Sequence, residues 1–160
     1  MAIFRYRMQS ILDIKFKLED QAKQEFAAAK LMLDREEEAL EHLRERKRGY
    51  EQRYVELLMG TLDMQEIAET KEAILRMDEY IAAQLLRVRA AERQVEAARA
   101  HMTEAMKDRK VHETLREKAF EDFLIEEKQQ ESKEIDQLTS YTHGQKQKAQ
   151  EREAAAYAEE

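Results

Sequence analysis

Proline, cysteine and tryptophan are absent from the 160 residues, and only three are glycine. A globular chain of this length carries roughly eight prolines and about eleven glycines. Those two residues end or bend helices, so a chain nearly free of them sets few limits on helix length. The lack of cysteine excludes disulfides and thiolate sites and fits a reducing compartment. No run approaches the roughly 20 apolar residues of a membrane span, so direct membrane insertion is not expected. Long paired helices enclose no concave pocket. Function is therefore to be sought in surfaces that touch other proteins.

What is present agrees. Charged residues make up 39% of the chain and aromatics 7%, a profile of coiled coils rather than of globular cores. The dominant residues (Ala, Glu, Lys, Arg, Gln, Leu) are strong helix formers. High charge also fits disorder, but a disordered chain need not keep its apolar residues in phase, and this one does. The net charge of −7 argues against nucleic acid as a partner.

Residues 3–18 are basic and amphipathic, which would suit an organellar presequence or a membrane-surface helix. Asp13 counts against a presequence. The stripe of Phe4, Met8, Ile11, Leu12, Ile14 and Leu18 also continues in phase into Ala22, Phe26, Ala29 and Leu33, so a structural helix is expected from the start.

The stripe runs on through Leu40, Leu43, Tyr50, Tyr54 and Leu57, with Glu36 and Lys47 as polar interruptions. Leu18, Ala22 and Phe26 follow in successive fours, a stutter that would unwind a left-handed supercoil locally. The one clear break is Gly60-Thr61-Leu62-Asp63. Gly60 suits the left-handed position after a helix end, and Asp63 with Glu66 forms a capping box for the next helix. The second pattern holds Ile67, Ile74, Met77, Ile81, Leu85, Val88, Val95, Met102 and Met106. It weakens over Lys107–Thr114 and resumes with Leu115, Ala119, Phe123 and Leu138. Residues 144–160 read as a polar, flexible tail.

Two long amphipathic helices joined by so short a turn fold back on each other. The expected fold is all-α: an antiparallel two-helix coiled coil, an α-hairpin over 1–143 with helices at about 4–59 and 63–142. The first would be on the order of 84 Å long and the second nearer 120 Å. Residue i then faces roughly 121−i, and the second helix overhangs. Its overhanging part holds Phe120, Phe123, Leu124 and Ile125, which a two-helix pairing does not cover. Such a cluster is either a docking surface, a site of self-association, or a fraying end.

Little points to chemistry. His42, His101, His112 and His143 stand too far apart for i, i+4 metal ligation. His112-Glu113-Thr114-Leu115-Arg116 begins like a zincin helix but has arginine where the second histidine must sit. No glycine-rich phosphate loop exists. No catalytic residue, metal or cofactor is expected. The basic runs Arg44–Arg48 and Lys107, Arg109, Lys110 are diluted by glutamates and sit at different heights, which favours a solvated face over a nucleic-acid stripe.

The opening Phe4-Arg5-Tyr6-Arg7-Met8-Gln9-Ser10-Ile11-Leu12-Asp13-Ile14-Lys15 resembles the start of the FliJ family of flagellar export proteins. Members often begin with an aromatic-x-aromatic-x-hydrophobic-Gln-x-hydrophobic-Leu pattern and then run into a Glu/Ala/Lys-rich helix. Residues 73–84, Ala73 to Gln84, look like the family's hydrophobic-rich segment after the turn.

The resemblance implies a non-enzymatic stalk, similar to the central stalk of rotary ATPases, that enters the ring of the flagellar export ATPase. It also implies contacts with the membrane export gate protein and with export chaperones, in the cytoplasm and peripheral to the membrane at the flagellar base. Phe4, Met8, Ile11, Leu12, Leu115, Ala119, Phe120, Phe123 and Leu124 would meet the ring. Family gate contacts lie on the two helices near the turn, where Leu43 and Tyr50 match the expected character and Met77 lies opposite. Tyr50, Tyr54, Leu57 and Leu58 also crowd the last turns before Gly60 with more large apolar groups than one seam buries, so some should stay exposed and contact the gate. Arg46 stands where an aromatic is common, and Ala73 replaces a larger residue. A stalk that enters a ring should be monomeric when free. Two other classes fit the residues: a secretion chaperone that binds exported polypeptides, and a purely structural, self-associating coil.

Overall fold

A computed structural model describes residues 2–158. Two α-helices, α1 (Gln9–Met59) and α2 (Met64–Ala158), hold nearly all of them and pack antiparallel. No strand occurs among the described residues. The all-α coiled-coil hairpin is the fold, but both outer helix ends differ from expectation. Helix α1 begins at Gln9 rather than near Phe4. Helix α2 continues as helix to Ala158, past the expected end near residue 142. The only helix breaker beyond that point is Gly144, which costs about 1 kcal/mol relative to alanine. The flanking Gln, Lys, Glu and Ala residues favour helix.

The chain divides into two compact units, one of Asp13–Lys110 and one joining the residues up to Leu12 with those from Val111 onward. Within Asp13–Lys110, the α1 positions shielded from solvent run Lys15, Glu19, Ala22, Phe26, Ala29, Leu33, Glu36, Leu40, Leu43, Lys47, Tyr50, Tyr54 and Leu57. The steps alternate strictly between four and three, the period of a left-handed coiled coil. The expected stutter is absent. Glu19, 4% exposed, occupies the seam that Leu18, 45% exposed, was expected to fill. The repeat also persists on α2, where Arg109 and His112 hold seam positions in the stretch that reads as weakened.

Each polar seam residue on α1 has a partner on α2. Lys15 Nζ lies 2.7 Å from Asp108 Oδ2, and Lys47 Nζ lies 2.7 Å from Asp78 Oδ1. That hydrogen bond from Lys47 to Asp78 holds the lysine above its ordinary pKa. Gln84, itself buried, donates from Nε2 to the Glu36 carbonyl at 2.9 Å and also meets the Glu36 carboxylate. Arg109 grips Glu19 with both Nε (2.6 Å) and Nη2 (3.3 Å). Partner numbers in these pairs and in Arg53–Glu66 sum to about 119–128, which brackets the expected register. Polar residues at seam positions fix register, because sliding the helices would leave each one without its partner.

The turn also departs from expectation. Gly60 has no positive φ, and a Cβ there would meet only the Glu56 carbonyl, at 3.7 Å. The geometry therefore does not demand glycine. Asp63 caps α2, its Oδ1 accepting from the amides of Gln65 (3.1 Å) and Glu66 (3.3 Å). The other half of the capping box is not made by Glu66. Its carboxylate instead accepts from Arg53 Nη2 at 2.7 Å, tying the two helices together just before and after the turn.

Gly49 lies inside α1, where an added Cβ meets nothing within 4 Å. Gly49→Ala is therefore expected to stabilise the coil by about 0.5–1 kcal/mol. A rise in melting temperature checks this; a fall would mean the position serves something besides the helix.

Candidate protein-docking surfaces

In the unit that joins the N-terminal residues to Val111 and beyond, α1 is preceded by a non-helical segment. Its end is closed by Gln9 N donating to Tyr6 O at 3.2 Å, while Met8 O accepts from the amides of Ile11 and Leu12, both at 3.1 Å. This segment lays Phe4 on α2. The Phe4 ring meets Phe120 edge-on at 5.1 Å between centroids and Phe123 at 5.4 Å, and the latter two rings lie 6.4 Å apart. All three distances fall in the range where aromatic pairs attract. Arg116 sits 5.8 Å from the Phe4 centroid and donates from Nε to Gln9 Oε1 at 3.0 Å.

Phe120 and Phe123 thus have an intramolecular partner, contrary to the expectation that hairpin pairing leaves them uncovered. Their partner is Phe4, from the segment that precedes α1. Coverage is incomplete. Leu12 is buried, and Phe4, Ala119 and Phe123 are half-buried. Met8, Ile11, Leu115, Phe120, Leu124 and Ile125 remain exposed. Beyond Gln130 every described residue except Gly144 is exposed, including Ile135, Leu138 and Tyr141. The apolar repeat marks neither Gln9 nor Arg116, because both are polar.

At the turn, in the other unit, Leu43, Tyr50 and Tyr54 are half-buried and Leu58 is exposed. Leu57 and Met77 are buried in the seam and belong to the coil's own packing. Four further apolar residues are exposed there: Val55, Met59, Leu62 and Met64. The apolar repeat does not mark them, because they lie off the seam or within the turn itself.

Three members of the basic runs are engaged by carboxylates of the chain itself. Lys47 is committed to Asp78, Arg48 to Glu41 at 2.8 Å, and Arg109 to Glu19. Among the described residues, no group of three or more His, Asp or Glu is placed to hold a metal ion, and no helix is long and apolar enough to cross a membrane.

A family model described as "Flagellar FliJ protein" matches residues 4–148. Comparison with curated proteins found no match. Among solved structures, a Chlamydia trachomatis protein described as a YscO homolog, CT670, superposes with a TM-score of 0.70. It is 22% identical, and the match covers 88% of this chain and 96% of that one. At that identity the likeness speaks for the fold alone.

Proposed function

The chain belongs to the FliJ family, coiled-coil proteins of flagellar type III export, and from that membership we propose that it is the stalk of the export ATPase. In this reading it has no catalytic activity and needs no cofactor. The Phe4–Phe120–Phe123 end enters the ring's central opening and promotes its assembly or turnover. The turn end contacts the membrane export gate protein, and the coil's flanks handle export chaperones. The protein works in the cytoplasm, peripheral to the membrane at the flagellar base, and is monomeric when free.

The observation that carries the reading is the aromatic cluster. The N-terminal segment and α2 build one apolar end there, and Met8, Ile11, Leu115, Phe120 and Leu124 stay open around it. An asymmetric helical end with exposed apolar groups is suited to a ring whose lining is made of identical subunits. Adding the full chain to the purified export ATPase should raise its rate, with saturation near one chain per ring, because binding to the assembled ring favours it by mass action. No stimulation at any ratio would discard the stalk reading.

A further inference from the structure

Five large apolar side chains stand exposed within the ten residues around the turn: Val55, Leu58, Met59, Leu62 and Met64. Met59 is 84% exposed, Met64 71% and Leu62 62%, so the coil packs none of these three. Around them the charge is one-sided. Glu51, just before residues 53–69, is paired with Lys47 at 3.6 Å, and Lys71 follows that stretch. Within it, Glu56, Asp63, Glu66 and Glu69 stand against a single base, Arg53. That base is occupied by Glu66 at 2.7 Å and lies 3.9 Å from Glu56. The turn is therefore an apolar knob inside an acidic collar.

We infer that this knob docks into an apolar pocket of a protein partner whose rim is basic. The inference rests on the gate contact proposed above and supplies its chemistry. A lipid surface is the wrong occupant. Bacterial membranes present anionic headgroups, which repel the collar, and helices that lie in such surfaces carry Lys and Arg on their polar faces. A second copy of the chain fits no better, since it would bring two acidic collars together. A basic rim around an apolar pocket satisfies both features at once. Two methionines among the five suit such a contact, because the unbranched thioether adapts to an irregular pocket.

The test uses the full chain, the cytoplasmic portion of the export gate protein, and vesicles of phosphatidylcholine and phosphatidylglycerol at about 3:1. Calorimetry should show wild-type binding to the gate portion that weakens several-fold between about 50 and 500 mM salt. Met59→Ser with Leu62→Ser should weaken binding at least about tenfold. Glu56→Lys with Glu69→Lys should weaken it as well, and none of the proteins should bind vesicles. All four residues are exposed, so helix content by circular dichroism should not change.

If the gate portion binds wild type and both variants alike, the knob is overturned while the gate reading stands. Binding that salt leaves unchanged or strengthens overturns the basic rim. Vesicle binding that the serine variant loses overturns the protein partner in favour of lipid. If wild type does not bind the gate portion at all, the gate reading fails and takes the inference with it.

Discussion

Replacing Phe120 and Phe123 together with serine is expected to weaken stimulation of the export ATPase severely while the coil stays folded. The separation of effects follows from where these residues lie. They belong to the unit that holds the N-terminal residues and α2 from Val111 onward, whereas the longer paired seam lies within Asp13–Lys110. Removing both rings dissolves the contacts to Phe4 at 5.1 and 5.4 Å. Each aromatic pair is worth about 0.5–1.5 kcal/mol beyond its buried area. Helix propensity changes little, because serine and phenylalanine rank alike. These losses fall on one end, so the main melting transition should move little. Docking should suffer far more, because buried aromatic anchors at interfaces commonly contribute 2 kcal/mol or more each. The concentration of chain giving half-maximal stimulation should rise on the order of 100-fold or more. Phe4→Ala should give an intermediate loss, since it removes the third ring but leaves the two on α2. Equal stimulation by wild type and the double variant would discard this end as the docking site.

The two helices, their break at residues 60–63 and their antiparallel pairing were legible in the sequence. A chain without proline has one place to turn, and a three-four apolar repeat has one side to bury. What escaped the reading was polar. Glu36 and Lys47 stand out as interruptions of the stripe, but Glu19, Gln84 and Arg109 also hold seam positions, and an apolar repeat marks none of these three. Leu18 taken in place of Glu19 reads as a stutter. Their fitness for the seam depends on partners dozens of residues away, and spacing along one helix carries no such information. The N-terminus failed differently. Phe4 and Met8 keep the helical phase, but Phe4 lies outside α1 and packs its ring against Phe120 and Phe123. Tertiary packing overrides local periodicity there. At the turn, the count of apolar residues correctly pointed to a surplus. Which members are buried, Leu57 and Met77, and which are open, Leu58 and Met59, is set by rotation about the helix axis and by the path of the turn.

The largest change in stability should come from Arg109→Ala. Glu19 is almost wholly covered, and its carboxylate is held by Arg109 at 2.6 and 3.3 Å with Lys23 at 3.2 Å on the same side. Arg109 also lies over the Phe16 ring at 5.6 Å. Removing the guanidinium leaves a covered carboxylate with only the lysine to balance it and strips the packing from Phe16. A loss of about 2–4 kcal/mol is expected, below the upper range for a dry interior because a two-helix coil keeps water close. Converting the pair to Glu19→Leu with Arg109→Leu should recover most or all of that loss, since a buried ion pair and an apolar pair of similar size stabilise about equally. The pair's contribution is thus to register more than to net stability.

The same node gives a pH signature. Hydrogen bonding from Arg109, more than any other cause, holds the Glu19 pKa below its ordinary 4.5. A depressed carboxylate pKa contributes stability that is fully present above the unfolded value and is lost as pH falls through the folded one. Wild type should therefore lose stability as pH drops below about 4.5, and the double leucine variant should lose measurably less over the same interval. Thermal melts of wild type, the two single variants and the double variant at neutral pH and at about pH 3 give both results. If Arg109→Ala melts like wild type, or if the double variant keeps the full acid sensitivity of wild type, the Glu19–Arg109 contact does not hold the seam in register.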